Sequence, residues 1–296
     1  MVYVHPMTYT ALGRGIAVAV ATLLMFGLLF LREATSPSGE GYWTAIAAAP
    51  GGDLYLADEA HGELRLLLHS GGHRRLGPVP PGIIRALAAD GPNLLLATEG
   101  FLYVSADTGA SWRRALSGRF TAVSVSGRLE LAGAWADGLF RSDDAGATWA
   151  RAVVPAGDTE IEAIVPGFAA TLLGLLESKD SGFTWSRVPG IPDRVTAVST
   201  TTSGGVRAGG WNGQVFSYDP GAGLVRREGA FPGGVLAVDG AVVGTTNGVY
   251  PDNGGPLHRR EVTRIALSGN FYWAATARGP IYISGDGVDW RLADQG

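Results

Sequence analysis

The chain has 296 residues, no cysteine, and a formal net charge of −4 from 23 basic and 27 acidic side chains. Without cysteine it has no disulfide, no thiolate metal site and no thiol nucleophile. Without an excess of basic residues it has no positive electrostatic field to attract a phosphate backbone, so we do not expect nucleic acid as a partner. With 46% hydrophobic and 17% charged residues, the composition is that of a folded chain with a large core.

A long apolar segment lies near the N-terminus. Residues 16–31 read IAVAVATLLMFGLLFL, and extending the segment back to residue 11 adds one charge, Arg14, which can reach the lipid headgroups. This length spans a bilayer core of roughly 30 Å. We therefore predict a tail over residues 1–10, a transmembrane helix over 11–31 and a polar linker over 32–40. A cleaved signal peptide is the alternative, but no good small-x-small cleavage site follows the apolar run.

The charged and small residues of this segment predict its orientation in the membrane and its packing against other membrane helices. Arg14 precedes the apolar run, which favours a cytoplasmic N-terminus in the inner (cytoplasmic) membrane and a periplasmic location for the rest of the chain. Small residues lie four apart, a spacing that lets two membrane helices approach closely: Gly15 and Ala19, and Ala17 and Ala21. The spacing predicts helix packing, and ordinary alanine-rich, lipid-facing sequence is the alternative.

Residues 41–296 contain an internal repeat. Three octapeptides share the pattern Ser-x-Asp-x-Gly-x-Ser/Thr-Trp, at residues 105–112, 142–149 and 178–185, and a copy one residue shorter lies at 284–290. Eroded copies at residues 217–221 and 252–254 fill the gap before the last one. Upstream of the copies, a first apolar strand carries residues that we take as equivalent: Ile46, Leu87, Val123, Ile164, Val198, Leu236 and Ile265.

Seven units of about 37 residues fit this repeat. Short strands with glycine-rich turns at this period are typical of a β-propeller, in which each blade buries its faces against its neighbours. Helical solenoids have similar periods, but they need a 3.6-residue apolar periodicity that is missing after residue 31. We predict an all-β fold, a seven-bladed β-propeller of four-stranded blades over residues 41–296, preceded by one N-terminal transmembrane α-helix.

The octapeptides resemble the Asp-box of BNR-type propellers, a family that includes sialidases, sortilin-like receptors and photosystem II stability/assembly factor-like propellers. The segment leading into each box is most similar to the last group, which is seven-bladed. The resemblance implies a peripheral turn between the third and fourth strands of a blade. In such a turn we expect the aspartate to accept backbone N–H bonds, the glycine to adopt positive φ and the tryptophan to cover the blade edge. The structural residues of the boxes are then Asp107, Gly109 and Trp112; Asp144, Gly146 and Trp149; Asp180, Gly182 and Trp185; Asp286 and Trp290.

No catalytic constellation stands out. A sialidase would carry an F/Y-R-I-P motif, and this sequence has none. His61, His69 and His73 have a spacing that could suit a metal, but they fall in different turns of one hairpin, and one aspartate per box supplies too few oxygens for calcium. We expect no catalytic residue, no cofactor, no metal site and no enzyme activity.

The turns between the second and third strands emerge on one face of a propeller and differ from unit to unit. They carry our candidate partner-binding residues: Glu99, Trp135, Trp211, Asn247 and Arg278. Exposed tryptophan beside polar residues is typical of an interface anchor, and indoles that fill gaps between blades are the alternative.

Two functions from different classes follow. The first is a membrane-anchored, non-catalytic propeller acting as a structural or assembly subunit of a larger membrane protein complex, with complex subunits and the lipid bilayer as partners. The resemblance to the assembly-factor group suggests a photosynthetic reaction centre or light-harvesting complex. The alternative is a membrane-anchored carbohydrate-binding or glycosidase propeller of sialidase-like ancestry.

Overall fold

The computed structural model describes residues 43–251, 262–276 and 280–293. Outside these ranges lie the predicted tail, transmembrane helix and linker, with Gly15, Ala17, Ala19 and Ala21, and also Arg278. Within the described ranges, no helix has the length and apolar character needed to cross a membrane.

The described residues form seven antiparallel sheets, and strands that follow one another in sequence pair within each sheet. This architecture confirms the predicted all-β, seven-bladed propeller with four-stranded blades. A 3₁₀ turn, Pro50–Gly52, joins the first two strands. In blades 1 to 3 the strands are β1 (Trp43–Ala48), β2 (Leu54–Asp58), β3 (Glu63–Leu67), β4 (His73–Pro78), β5 (Ile84–Asp90), β6 (Asn93–Thr98), β7 (Phe101–Ser105), β8 (Arg113–Ser117), β9 (Phe120–Ser126), β10 (Leu129–Ala134), β11 (Gly138–Ser142) and β12 (Ala150–Arg151).

Blades 4 to 7 continue the same order, and residues 252–261, which follow the third strand of blade 6, lie outside the described ranges. In these blades the strands are β13 (Ile161–Val165), β14 (Phe168–Thr171), β15 (Gly174–Glu177), β16 (Ser186–Arg187), β17 (Val195–Thr200), β18 (Val206–Gly210), β19 (Gln214–Asp219), β20 (Leu224–Ala230), β21 (Val235–Asp239), β22 (Val242–Thr245), β23 (Gly248–Pro251), β24 (Val262–Ser268), β25 (Phe271–Thr276), β26 (Ile281–Ser284) and β27 (Arg291–Leu292).

The first strand of each blade lies innermost, and these strands contact one another around the ring from β1 through β5, β9, β13, β17 and β21 to β24, which contacts β1. Blade 7 ends with its own fourth strand, because β27 pairs with β26. Blades 7 and 1 therefore meet through side chains rather than through a shared sheet. Ile46 and Leu56 of blade 1 pack in one buried cluster with Trp273 of blade 7.

Every innermost strand contains a β-bulge near its start, where its register against the second strand shifts by one residue. The bulged residues are Thr44, Arg85, Thr121, Glu162, Thr196, Leu236 and Thr263. The next residue is alanine in six blades and Arg264 in blade 7. Bulges re-aim side chains and are common beside functional sites. Four of the bulged residues, Thr121, Glu162, Thr196 and Leu236, line a cavity between the innermost strands.

The bulge corrects one equivalence drawn from the sequence. Leu236 is the bulged residue of blade 6, and Val238, paired with Val243, is the residue that corresponds to Ile46 and Leu87. The sequence-based assignment is wrong by two positions because the side-chain pattern of a strand repeats every two residues.

Candidate functional site

The Asp-boxes are hydrogen-bonded turns between the third and fourth strands. In blade 3, Asp144 Oδ1 accepts bonds from Ser142 Oγ at 2.7 Å and from the backbone N–H of Thr148 at 2.8 Å, and its Oδ2 accepts the Thr148 hydroxyl at 2.6 Å. Ser142 Oγ accepts the N–H of Gly146 at 2.9 Å, and Trp149 Nε1 donates to the Gly146 carbonyl at 3.1 Å. The turn therefore satisfies both its carboxylate and its own backbone.

The other boxes repeat this network around Asp107, Asp180 and Asp286. Hydrogen bonds from the Ser111 and Thr184 side chains, then from their backbone N–H groups, lower the pKa of Asp107 and Asp180 to about 2. Carboxylates held charged in this way cannot donate a proton near neutral pH. Their arrangement is that of structural turns.

Two features of the boxes were not anticipated from the sequence. In the three full-length boxes the residue before the glycine, for example Ala145 with φ 58°, is also left-handed, so two consecutive residues adopt this conformation. The boxes also join neighbouring blades, because Arg113 of blade 2 donates to the Gly146 carbonyl at 2.6 Å and Arg141 of blade 3 donates to the Ser181 carbonyl at 3.1 Å. Trp112 extends the pattern by bonding the Pro78 carbonyl of blade 1 at 3.1 Å.

On the opposite face, a row of side chains crosses from blade 2 to blade 3. Glu99, in the β6–β7 turn, forms an ion pair with Arg85, and Arg119 Nη2 lies 3.8 Å from the same carboxylate oxygen. The Arg119 guanidinium in turn lies 5.6 Å from the centre of the Trp135 ring, in the β10–β11 turn. The structure thus connects Glu99 and Trp135 through Arg119, which sequence reasoning missed and whose side chain is 56% exposed. We call Arg85, Glu99, Arg119 and Trp135 the charged row.

Trp211 and Asn247 lie elsewhere on this face. Gly234 packs under the Trp211 indole, since a Cβ on Gly234 would lie 3.0 Å from the ring, and a Cβ on Gly233 would lie 3.1 Å from the Asn247 amide. Trp211 is half-buried, whereas Asn247 is exposed. Trp211 therefore packs at the boundary between blades 5 and 6, and its role as a partner-binding residue stays a prediction.

The histidines of blade 1 point to different ends of β3. His61 Nδ1 lies 2.5 Å from the buried Asp58 carboxylate, and His69 Nδ1 lies 2.8 Å from Asp53. Across the described residues, no group of three histidine or acidic side chains is close enough together to hold a metal ion.

The central channel contains a cavity of about 170 Å³. The innermost strands line it, and its polar wall residues are Thr121, Glu162, Thr196 and Arg264. Burial raises the pKa of Glu162 to about 7, the negative charge of Glu160 raises it further and the positive charge of Arg264 opposes both. Sequence reasoning missed both charged residues, although Arg264 stands where six other blades have alanine.

Glu130 is a second buried carboxyl group, between the sheets of blades 2 and 3. Its side chain is fully buried and neither oxygen has a hydrogen-bond partner. Burial raises its pKa to about 7, opposed by the charge of Arg113. The corresponding residue of blade 2 is Leu94, because Leu94 pairs with Ser105 as Glu130 pairs with Ser142.

Comparisons with known proteins establish the fold and no more. No protein-family profile matches the chain, and no curated protein sequence matches it. Among solved structures, the extracellular domain of a one-component system from B. thetaiotaomicron matches with a TM-score of 0.62 and 16% identity over 84% of this chain, which spans only 39% of that protein. YCF48 from Cyanidioschyzon merolae matches with a TM-score of 0.54 and 16% identity, over 71% of this chain and 84% of that one. An ancestral GH74 enzyme matches with a TM-score of 0.67 and 14% identity, over 87% of this chain and 47% of that one. This chain is thus similar in fold to sensor, enzyme and other propellers alike.

Proposed function

We propose that this chain is a membrane-anchored, non-catalytic propeller that acts as a structural or assembly subunit of a larger membrane protein complex. The N-terminal apolar segment anchors it in the inner membrane, and the propeller lies on the periplasmic side. The Asp-box resemblance suggests a photosynthetic reaction centre or its light-harvesting complex as the partner. The observation that carries the proposal is the charged row across blades 2 and 3.

The charged row has the composition of a protein interface. Tryptophan and arginine dominate the binding energy of interfaces, and they do so best when neighbouring contacts hold them in place. Here Arg119 is held between the Glu99 carboxylate and the Trp135 ring, so docking costs little side-chain entropy. A partner that brings an acidic group to Arg119 and an apolar group to Trp135 would complete the contact.

The membrane segment and this face would act together. Tethering confines the propeller near the membrane and raises its effective concentration at a membrane-bound partner. A modest contact area is then enough for stable incorporation.

The test is co-purification of the full chain from its native membranes in mild detergent, with the accompanying proteins identified by mass spectrometry. The variants Trp135→Ala and Arg119→Ala are compared with Arg128→Ala, an exposed arginine in the β9–β10 turn on the opposite face. We expect the partner proteins to co-purify equally with the wild type and with Arg128→Ala. With Trp135→Ala and Arg119→Ala, the amount of co-purified partner should fall by about tenfold or more. Pigment absorbance in the purified fraction tests the photosynthetic assignment. A monomer that retains or cleaves glycans would instead support the carbohydrate-active alternative.

A further inference from the structure

Glu162 in the channel wall is a half-buried acidic residue. Its carboxylate lines the central cavity and makes no hydrogen bond or ion pair with any residue that the structure describes. Holding a carboxylate partly away from bulk water without a partner costs free energy. An unpartnered carboxylate in a cavity therefore points to a group that binds there.

The bulge residues of other blades show what this position does when it is structural. Thr121 donates to the Ile161 carbonyl of the next blade at 2.5 Å, and Thr196 donates likewise to the Val235 carbonyl at 2.5 Å. Arg85 pairs with Glu99. These three side chains bond to other residues of the protein, whereas the side chain of Glu162 faces the cavity.

Arg264 supplies the opposite charge in the same cavity. Its guanidinium donates to the Thr263 carbonyl at 2.8 Å and to the Arg85 carbonyl at 3.2 Å, so the side chain lies along the wall from blade 7 to blade 2. The positive charge of Arg264 lowers the pKa of Glu162, so the two side chains influence each other across the cavity. The cavity wall thus carries one acidic and one basic side chain.

We propose that the channel mouth binds a small zwitterion of the amino-acid class, with its ammonium group against Glu162 and its carboxylate against Arg264. The cavity of about 170 Å³ is close in size to one of about 150 Å³ that holds benzene, so the ligand has few non-hydrogen atoms. Ammonium and carboxylate are the groups that these two side chains recognise by charge-assisted hydrogen bonds. This inference is independent of the proposed partner, since both residues line the channel and neither belongs to the charged row.

The repeat itself provides the variants that test this site. Glu162→Thr installs the residue type of the Thr121 and Thr196 positions, and Arg264→Ala installs the alanine of the other six blades, so each replaces a residue by one that the same fold position accepts elsewhere. Glu162→Gln, which keeps the shape of the side chain, is the second variant should Glu162→Thr fail to fold. Glu160→Gln is the control, because it removes a charge near the channel without removing a wall residue.

Binding is measured by calorimetry on the full chain in mild detergent. The probes are glycine, β-alanine and γ-aminobutyrate, which carry both charges at increasing separation, with ethylamine and acetate carrying one each. We expect at least one zwitterion to bind with a Kd below about 1 mM, ethylamine and acetate to bind at least about tenfold more weakly, and each wall variant to weaken the zwitterion by about tenfold or more. Glu160→Gln should change its Kd by less than about threefold.

Three results would overturn the proposal. The first is no detectable binding of any of the three zwitterions. The second is ethylamine binding as tightly as the zwitterions with no effect of Arg264→Ala, which would identify a simple cation site. The third is zwitterion binding that is unchanged in both folded wall variants.

Discussion

The indole of Trp273 in blade 7 donates a hydrogen bond to the Gly52 carbonyl of blade 1 at 3.0 Å. Trp273 is fully buried, and Ser268 of the same blade donates to the Ala49 carbonyl at 2.5 Å. Since no strand is exchanged between these two blades, their contact depends on such side chains. Arg291 of blade 7 also donates to the His69 carbonyl of blade 1 at 2.7 Å, and Phe271 stacks on the His69 ring at 4.7 Å. The last and first blades are thus joined by side-chain contacts, with the buried indole of Trp273 as the largest fully buried side chain among them.

We predict that Trp273→Ala lowers the free energy of unfolding by about 3–5 kcal/mol, because it removes a large buried side chain at the point of ring closure. Trp273→Phe keeps most of the apolar contact but loses the hydrogen bond to Gly52. The lost hydrogen bond should lower the free energy of unfolding by about 1 kcal/mol, in addition to the effect of the smaller ring. Denaturant unfolding of both variants measures the difference. If Trp273→Ala unfolded at the same denaturant concentration as the wild type, other contacts would have to close the ring.

Removal of the N-terminal segment tests whether the propeller is self-contained. Each blade from the first to the fifth, and also the seventh, supplies its own four strands, so a fragment of residues 41–296 should be soluble and should melt cooperatively. It should also enter its complex poorly, because the tether that raises its effective concentration is gone. Melting and incorporation are measured on the same preparation. An unfolded fragment would mean that the preceding residues complete the fold, and full incorporation would mean that the anchor is dispensable.

Glu130 should make the stability of the propeller depend on pH. Its pKa is raised by burial from 4.5 to about 7 in the folded state, so the folded protein binds a proton more tightly than the unfolded chain. Below about pH 4.5 the carboxyl group is protonated in both states and does not lower the free energy of unfolding. Between about pH 4.5 and 7 the free energy of unfolding falls as the pH rises, and above about pH 7 the loss is constant at ~3 kcal/mol.

Glu130→Leu installs the side chain that blade 2 has at Leu94, and we predict a gain of ~3 kcal/mol at pH 8 and a much smaller gain at pH 5. Glu130→Gln is the control, since it abolishes the titration but keeps a polar group in the same space. Unfolding curves at the two pH values decide the matter. An equal effect of Glu130→Leu at both values would contradict a buried titrating carboxyl group.

Asp144→Ala should lower the melting temperature and leave partner binding within about twofold of the wild type, since the box lies on the face opposite the charged row. The substitution removes the acceptor for the Thr148 backbone N–H and for two hydroxyls. Asp144→Asn keeps one acceptor oxygen and should have a smaller effect. A folded Asp144→Ala protein that no longer joins its complex would show that the box is a binding site.

The seven blades and the Asp-box turns can be predicted from the sequence because the box pattern is dense and recurs at a nearly constant spacing. Their hydrogen-bond chemistry follows from the residue types at fixed positions, as for Asp144 and Thr148. The β-bulge cannot be recognised in the sequence, and because strand side chains alternate with a period of two, the pattern points to Leu236 where Val238 is the equivalent residue.

The channel site lies beyond sequence reasoning for a different reason. Glu162 and Arg264 are distant in the chain and come together only because the first strands of seven blades converge on one axis. The role of Arg119 likewise depends on contacts with the turns of two different blades. A residue-by-residue alignment of the seven units would have marked Arg264 as a departure from alanine, and Glu130 as a departure from Leu94.

Site-specific photocrosslinking in native membranes tests the central claim most directly. A photoreactive phenylalanine analogue is placed at position 135, in the charged row, and in a second protein at position 128, on the opposite face. We predict that position 135 forms a discrete crosslink to a subunit of a membrane protein complex and that position 128 does not. Equal crosslinking from both positions, or a chain that stays monomeric from both, would contradict the assignment of this face as the partner-binding surface.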